Sequence, residues 1–246
     1  MFIIRGKSMD NKIKIFKNLV EECNNIVFFG GAGVSTESGI PDFRSKDGLY
    51  NQKYKYPPET ILSHTFFINN TEEFYKFYKE KMNSLKYEPN ITHFKLADLE
   101  RKGKLKAIIT QNIDGLHQKA GSKVVYELHG SILRNTCMNC KKEYDAEYVF
   151  NSNDIPKCSC GGIIKPNVVL YEEGLNDDTI TNSILAIQNA DMLVIAGTSL
   201  MVQPAASLIN YFNGKHLILI NRDSTPYDNR ANLVINDSLG KVFNNL

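Results

Sequence analysis

The chain has 246 residues, of which 42% are hydrophobic and 23% are charged, and its formal net charge is +2. This length can bury a sizeable core in one large α/β domain or in a main domain with a small satellite. The balanced charge excludes a strong basic field, so a nucleic-acid partner is not expected. The apolar run at residues 2–4 is too short for a signal peptide, and no run approaches the roughly 20 residues that span a bilayer. We therefore expect a cytoplasmic protein without membrane contact.

Apolar spacing predicts a helix over residues 11–24, followed by a buried strand over residues 25–29 that runs into a glycine turn. Similar buried strands are predicted at residues 105–110, 192–196 and 216–221, and helical or loop material separates them. Strands that alternate with helices indicate an α/β fold with a doubly wound, parallel, Rossmann-like sheet.

Two stretches interrupt this alternation. Residues 48–89 contain an aromatic-rich helical segment, whose aromatic side chains we expect to pack a core, and residues 131–166 are polar and rich in cysteine. Because the chain must return to one sheet after each stretch, the smaller domain is discontinuous. The predicted large domain comprises residues 9–47, 90–130 and 167–246, and the small domain comprises a helical insertion, 48–89, and a metal-binding module, 131–166.

Four of the five cysteines form two close pairs, Cys137 with Cys140 and Cys158 with Cys160, whereas Cys23 stands apart. An odd number argues against a disulfide framework. Four thiolates at this spacing suit one tetrahedral zinc ion, which is structural because no position is left open for water. The second pair is CxC instead of the usual CxxC, and unligated or redox-active thiols remain the alternative.

The glycine turn after the first strand, Gly31-Ala-Gly33 and on to Gly39, allows a backbone to approach a pyrophosphate. Alone this signal is weak, because glycine turns often serve only chain reversal. Hydroxyl groups follow at residues 35–38, and Phe43 and Arg44 offer a flat ring and a fixed cation. These residues favour a nucleotide ligand.

Further polar loops follow the other predicted strands, at residues 110–117, 127–130 and 197–200, and Asn221 ends the last strand. The carboxyl ends of parallel strands meet at one edge of a sheet, where such folds bind ligands. A histidine before a glycine, His129, is a plausible base at this edge. The combination predicts a nucleotide site.

The motifs GAGVSTESGIPDFR, TQNIDGLH, ELHGS, the two cysteine pairs, KPNVVLYEE and AGTSLMVQPA resemble, in content and in order, the sirtuin family of bacterial type. The resemblance covers residues 11–246. It implies a Rossmann-like domain, a small domain of zinc ribbon and helical insertion, and an acyl-lysine protein or peptide bound as an added strand between them. It also implies an NAD-dependent protein deacetylase that consumes NAD and yields nicotinamide, free lysine and O-acyl-ADP-ribose. We expect a monomer.

Position by position, the resemblance implies that His129 is the general base and that Asn112 and Asp114 lie close to the reacting ribose. Val168 holds the acyl-lysine amide through its backbone, and Met201 and Val202 lie on the opposing peptide-binding segment. The positions that correspond to NAD contacts are Ala32, Thr36, Phe43, Arg44, Gln111, Ile113, Asp114, His129, Thr198, Ser199, Asn221 and Leu239.

Some positions depart from the family pattern. Asn167 stands where an aspartate is usual, which removes a charge beside the acyl-lysine channel. Members that prefer acidic acyl groups have a Tyr-x-x-Arg pair, whereas here Tyr75 is followed by Tyr78 and then by Lys81. We therefore expect acetyl-lysine to be favoured, longer apolar acyl chains to remain open and succinyl or malonyl groups to be disfavoured.

Two other functions are compatible with the same sequence. The chain could be a non-catalytic NAD or ADP-ribose sensor, or an enzyme that transfers ADP-ribose to protein. Nicotinamide release separates an enzyme from a sensor, and the mass of the peptide product separates the two reactions.

Overall fold

The computed structural model describes residues 8–42, 48 and 54–246. Among these residues, no helix combines the length and the apolar character needed to cross a membrane. The strands are β1 Ile26–Gly30, β2 Leu105–Thr110, β3 Val125–Glu127, β4 Gly130–Cys137, β5 Glu143–Asp145, β6 Ile164–Val168, β7 Met192–Ala196, β8 His216–Ile220 and β9 Leu233–Ile235. The helices are α1 Met9–Glu22, α2 Pro58–Ile61, α3 His64–Asn69, α4 Thr71–Lys81, α5 Ile91–Arg101, α6 Leu116–Lys119, α7 Ala146–Asn151, α8 Asp177–Gln188 and α9 Leu239–Phe243.

Six strands form a parallel sheet in the order β3-β2-β1-β7-β8-β9. The predicted doubly wound α/β fold is confirmed, and the four predicted strands match β1, β2, β7 and β8 to within one residue at either end. Strands β3 and β9 were not predicted, because each has only three residues at an edge of the sheet. The strand order reverses between β1 and β7, which creates a crevice at their carboxyl ends.

Both faces of this sheet are covered, so its central strands are almost entirely apolar. Alternate side chains divide between the faces. Phe28 packs with Phe16 of α1 and Phe243 of α9, whereas Phe29 packs in a second cluster that includes Ile187 of α8. Burying each such side chain contributes roughly 1.5–3 kcal/mol.

Strands β5, β4 and β6 form a separate antiparallel sheet, which shares one hydrophobic cluster with helices α2, α3, α4 and α7. The aromatic side chains of α4 pack this core, as predicted, and the hydroxyl group of Tyr75 donates to the carbonyl of Ile164. This smaller unit follows the carboxyl ends of β1 and β3, and it therefore lies beside the crevice. The exact domain boundaries remain a prediction.

Candidate active site

The floor of the crevice is formed by glycines in the loops after β1 and β7. The amide of Gly33 donates to the carbonyl of Gly197 at 2.8 Å. A Cβ on Gly33 would lie 2.7 Å from Gly197 Cα, and a Cβ on Gly31 would lie 2.8 Å from Cβ of Thr198. Only glycine allows these loops to touch, and the crevice floor is therefore bare backbone, which suits the close approach of phosphate groups.

A rigid polar cluster lies at the carboxyl end of β2. Ser35 Oγ donates to Asp114 Oδ2 at 2.6 Å and accepts from Asn112 Nδ2 at 3.0 Å. The backbone amide of Leu116 donates to the other oxygen, Asp114 Oδ1, at 2.9 Å. Burial raises the pKa of Asp114, whereas the hydrogen bonds from Ser35 and Leu116 oppose this rise. The carboxylate is thus fixed through both of its oxygens.

The His129 ring is oriented by a backbone carbonyl. Its Nδ1 lies 2.9 Å from the carbonyl oxygen of Gln111, which can only accept, so Nδ1 carries the proton and Nε2 the lone pair. Burial lowers the pKa of His129 below the usual value for histidine. Gly130 has φ +72°, and a Cβ there would lie 2.0 Å from the carbonyl oxygen of Asn167. The amide of Val169 binds the His129 carbonyl at 2.9 Å, so the backbone is held as well.

The other end of the crevice is built around Thr198 and Asn221. The amide of Thr198 donates to Asn221 Oδ1 at 2.9 Å, and Gln111 Nε2 donates to Thr198 Oγ1 at 3.2 Å. The buried Asn221 Nδ2 has no hydrogen-bond partner in the part of the chain that the structure describes. An unsatisfied buried donor costs about 1–3 kcal/mol, which favours a ligand oxygen at this position.

The Glu37 carboxylate joins the glycine loop to the C-terminal helix. It accepts a hydrogen bond from the amide of Gly240 at 3.0 Å, and a Cβ on Gly240 would lie 2.0 Å from Glu37 Oε2. This contact holds Leu239 against the end of the crevice.

These elements enclose one cleft of about 580 Å³. Most of the predicted site residues meet there, although the first and the last of them, Ala32 and Leu239, are more than 200 residues apart in the sequence. The predicted residues that line the cleft are Ala32, Thr36, Gln111, Asn112, Ile113, Asp114, His129, Val168, Thr198, Ser199, Val202, Asn221 and Leu239.

Among the described residues outside the cysteine cluster, one predicted site residue, Met201, is not part of the lining of this cleft. The Met201 side chain is 61% exposed, and its contact with a peptide stays a prediction. Phe43 and Arg44 lie outside the described residues. The other histidines do not line the cleft either: His93 and His117 are buried with their rings 4.8 Å apart, whereas His64 is exposed and His216 is partly exposed.

The structure also adds residues that sequence reasoning did not select. Residues 222–225 line the cleft, and they directly follow the predicted strand that ends at Asn221, so the same strand-end rule would have indicated them. Ser84 Oγ donates to the carbonyl of Asp114 at 3.2 Å. No sequence signal indicated Ser84, because it belongs to the helical insertion.

The segment after β6 forms the opposite wall of the cleft. The amide of Tyr171 donates to the Leu62 carbonyl at 3.0 Å, and its carbonyl accepts from the His64 amide at 2.9 Å. The Glu173 carboxylate accepts from the Leu170 amide at 2.9 Å. This wall is therefore an extended segment fastened to the helical insertion.

The four clustered cysteines converge in the smaller unit, as predicted. Their sulfur atoms all lie within 4.8 Å of one another, with Cys137–Cys160 and Cys140–Cys158 at 3.5 Å each. Tetrahedral zinc, with Zn–S distances of about 2.3 Å, places its sulfur ligands about 3.8 Å apart, whereas a disulfide requires about 2.05 Å. Gly161 has φ +84°, and its amide donates to the Cys158 carbonyl at 2.9 Å, which closes a tight turn around the CxC pair.

The four cysteines are thus positioned to bind a zinc ion. None of them lines the cleft, which favours a structural role for the metal.

The fold and the cleft together define a Rossmann-like nucleotide-binding protein with an accessory cysteine module. The model of the Sir2 family matches residues 31–204, and the chain belongs to this family. The sirtuin resemblance found in the sequence is therefore confirmed.

Similar proteins extend over nearly the whole chain. A Clostridium acetobutylicum protein named NAD-dependent protein deacetylase is 63% identical over 95% of this chain and 97% of its own length. A Clostridium perfringens protein of the same name is 59% identical, over 96% and 98% respectively. A Sir2 structure with a p53 peptide and NAD+ has a TM-score of 0.84 and 40% identity, covering 94% of this chain and 95% of its own.

Proposed function

We propose that the protein is an NAD-dependent protein-lysine deacetylase. The acyl group of a modified lysine passes to the ADP-ribose part of NAD and nicotinamide leaves, and one water molecule is consumed as the amide C–N bond breaks and the lysine amine is freed. The observation that carries this proposal is the meeting of His129 with the Ser35–Asn112–Asp114 cluster in one crevice at the strand-order reversal. The names of the relatives and the Sir2 structures with NAD+ and with acetylated peptide support it.

The cleft fits NAD at both ends. The bare backbone around Gly31 and Gly33 suits the pyrophosphate, and the unpartnered Asn221 amide suits a ribose hydroxyl. When bound, NAD supplies the ribose carbon that accepts the acyl oxygen and nicotinamide as the leaving group. The residues proposed to hold it are Ala32, Thr36, Phe43, Arg44, Gln111, Ile113, Asp114, His129, Thr198, Ser199, Asn221 and Leu239.

His129 acts as the general base in this proposal. Its Nε2 lone pair is free to take a proton from a ribose hydroxyl, because the Gln111 carbonyl fixes the other nitrogen as the donor. The lowered pKa keeps the ring neutral, and hence able to accept a proton, at neutral pH.

The Ser35 cluster orients the reacting groups. With NAD bound, Asp114 would offer a fixed carboxylate to the positive charge that loss of nicotinamide generates, and its two oxygens, already held by Ser35 and Leu116, would need no reorganisation. Asn112 donates to the same Ser35 hydroxyl and is thereby held next to Asp114, and Asn112 and Asp114 both line the cleft. These are positioning and electrostatic roles, and proton transfer is left to His129.

The acyl-lysine peptide is proposed to lie as an added strand between the segment after β6 and residues 199–202. Val168 holds the acyl-lysine amide through its backbone, and Val202 and Met201 contact the peptide from the other side. The fastening of the β6 segment to the helical insertion supplies a rigid edge for such a strand.

The remaining expectations extend the proposal. The zinc ion at Cys137, Cys140, Cys158 and Cys160 holds the small domain together. We propose that the two domains have the boundaries predicted above, that the protein is a cytoplasmic monomer, and that it binds no nucleic acid.

The test is incubation of the protein with NAD and an acetyl-lysine peptide, followed by mass analysis of the peptide and measurement of nicotinamide. We expect nicotinamide release with loss of the acetyl group. Binding of NAD without nicotinamide release would instead indicate a sensor, and a peptide that gains ADP-ribose would indicate ADP-ribosyl transfer. His129→Ala should retain NAD binding within a few fold and lose about 10²- to 10⁴-fold in turnover.

A further inference from the structure

One side-chain contact joins two distant segments of the chain at the edge of the cleft. The Glu37 carboxylate accepts a hydrogen bond from the Gly240 amide at 3.0 Å, across 203 residues. Each partner is the immediate neighbour of a residue proposed to hold NAD, Thr36 on the glycine loop and Leu239 on α9. Thr36, Glu37 and Leu239 line the cleft, whereas Gly240 is buried and does not. The contact therefore fixes one wall of the cleft relative to another.

The first turn of α9 depends on this carboxylate. The first amides of a helix have no partner within the helix, and the residue before the helix often supplies an acceptor. Ser238 holds that place here, but its side chain makes no capping hydrogen bond. Glu37 provides the acceptor from the glycine loop instead, and its negative charge is favourable at the positive end of the helix. The start of α9 is thus tied to the loop.

The identity of residue 240 is explained by the same contact. A Cβ on Gly240 would lie 2.0 Å from Glu37 Oε2, and its three nearest atoms would all belong to the Glu37 carboxyl group. Gly240 does not have a positive φ, so the backbone does not require glycine. Glycine is also less favourable than alanine within a helix. Space for the carboxylate is therefore the reason for glycine at this position.

Helix α9 is a firm support for the loop. The Phe243 ring packs edge-on against Phe16 and against Phe28, with ring centroids 6.0 Å apart in both pairs. These three side chains belong to the core on one face of the parallel sheet. The hydrogen bond from Gly240 therefore holds Glu37 to the core.

The other hydroxyl anchors of the glycine loop lead elsewhere. Ser35 binds Asp114 at the carboxyl end of β2, and Ser38 accepts from Asn90 at the start of α5. Neither of these contacts involves α9. Loss of the Glu37 contact would therefore leave the reacting end of the cleft intact and release the wall that Leu239 forms.

We propose that Glu37 is a positioning residue for the ADP-ribose half of NAD, because it holds Thr36 and Leu239 at a fixed spacing. The inference rests on the proposed function and assigns a role to a residue outside the reacting centre. Without the contact, NAD itself must order the loop against α9, and this ordering offsets part of the binding free energy. We therefore expect weaker cofactor binding with unchanged chemistry in the bound complex.

The experiment compares the wild-type protein with Glu37→Ala, Glu37→Gln, Gly240→Ala and the double variant Glu37→Ala/Gly240→Ala. Steady-state assays give kcat and the KM values for NAD and an acetyl-lysine peptide, and calorimetry gives the Kd of ADP-ribose. Glu37→Ala should raise the KM for NAD and the Kd of ADP-ribose about 2- to 10-fold, the ratio for one net hydrogen bond. The peptide KM and kcat should stay within about twofold of the wild type.

The remaining variants test the contact from both sides. Glu37→Gln keeps an acceptor oxygen and should restore most of the affinity. Gly240→Ala should weaken ADP-ribose binding as Glu37→Ala does, because its methyl group displaces the carboxylate. The double variant should bind no more weakly than either single variant, since the methyl group then meets no carboxylate.

Asn245→Ala is the matched control. It removes a hydrogen bond to the Lys241 carbonyl, 2.8 Å long, within the same helix, and Asn245 does not line the cleft. It should leave the Kd of ADP-ribose unchanged.

Two results would overturn the inference: an unchanged Kd of ADP-ribose in a folded Glu37→Ala protein, or additive losses in the double variant. A contact with a structural role alone would lower the melting temperature of Glu37→Ala without changing this Kd. Absence of nicotinamide release by the wild type would refute the deacetylase proposal, whereas the Kd values of ADP-ribose would still decide the role of Glu37.

Discussion

Substitution of Ser35 tests the site most directly, because its hydroxyl group joins two predicted catalytic residues. It is 1% exposed, donates to Asp114 at 2.6 Å and accepts from Asn112 at 3.0 Å. In Ser35→Ala both contacts are lost with little change in volume. We expect kcat/KM for NAD and an acetyl-lysine peptide to fall strongly while the fold is retained.

The magnitude follows from the two hydrogen bonds. A bond to a charged group contributes about 1.5–3 kcal/mol and a neutral one about 0.5–1.5 kcal/mol, so their combined loss is about 2–4.5 kcal/mol. If the transition state depends on both contacts, the rate falls about 30- to 2,000-fold. The Ser35 bond is also the largest influence that lowers the pKa of Asp114, so its removal raises that pKa further. Activity that needs the carboxylate should therefore be lost at a higher pH than in the wild type.

The assay is steady-state nicotinamide release as a function of pH. Ser38→Ala is a matched control, because Ser38 lies on the same loop, binds Asn90 and does not line the cleft. It should change kcat/KM by no more than about twofold. Unchanged kcat/KM in a folded Ser35→Ala protein, or an equal loss in Ser38→Ala, would refute this account of the cluster.

Three further predictions concern the pH dependence of activity, the pH dependence of stability and the metal. Because burial lowers the pKa of His129, the acid limb of the kcat/KM profile that reports this base should have its midpoint below pH 6.5; a midpoint above pH 7 would contradict the assignment. Burial lowers the pKa of His93 to about 4, so the unfolded state binds an extra proton between pH 6.5 and pH 4. As the pH is lowered through these 2.5 units, the free energy of unfolding should fall by about 3 kcal/mol, at 1.36 kcal/mol per unit. Urea titrations at several pH values measure this loss, and a pH-independent stability would disprove it. Cys160→Ser, or a chelator, should release the zinc and lower the melting temperature, with activity lost as a consequence; metal analysis that finds full zinc in the variant would argue against four-thiolate binding.

Gly130 illustrates how far local sequence can predict a site. A histidine before a glycine indicated a base at the end of a strand, but the reason for the glycine lies in a distant segment. Its φ of +72° and the 2.0 Å from a built Cβ to the Asn167 carbonyl both result from the pairing of β4 with β6. Residues 37 apart in the chain meet there, and no local pattern encodes that approach.

The long, buried strands were predictable because they are continuous apolar runs bounded by turns, and the cysteine pairs because metal ligands need close spacing. The short edge strands β3 and β9 were not, since three residues carry too little pattern. Ser84 was missed for a different reason: its hydroxyl acquires a role only where the helical insertion folds back on the Asp114 carbonyl.

The sequence by itself determined that this chain folds as a doubly wound α/β protein of the sirtuin type, because strand periodicity, strand-end loops and cysteine spacing are local properties. Only the tertiary structure decided how Ser35 bridges Asn112 and Asp114 and which nitrogen of His129 is free. Such features depend on contacts between distant segments, where a displacement of one ångström makes or breaks a hydrogen bond.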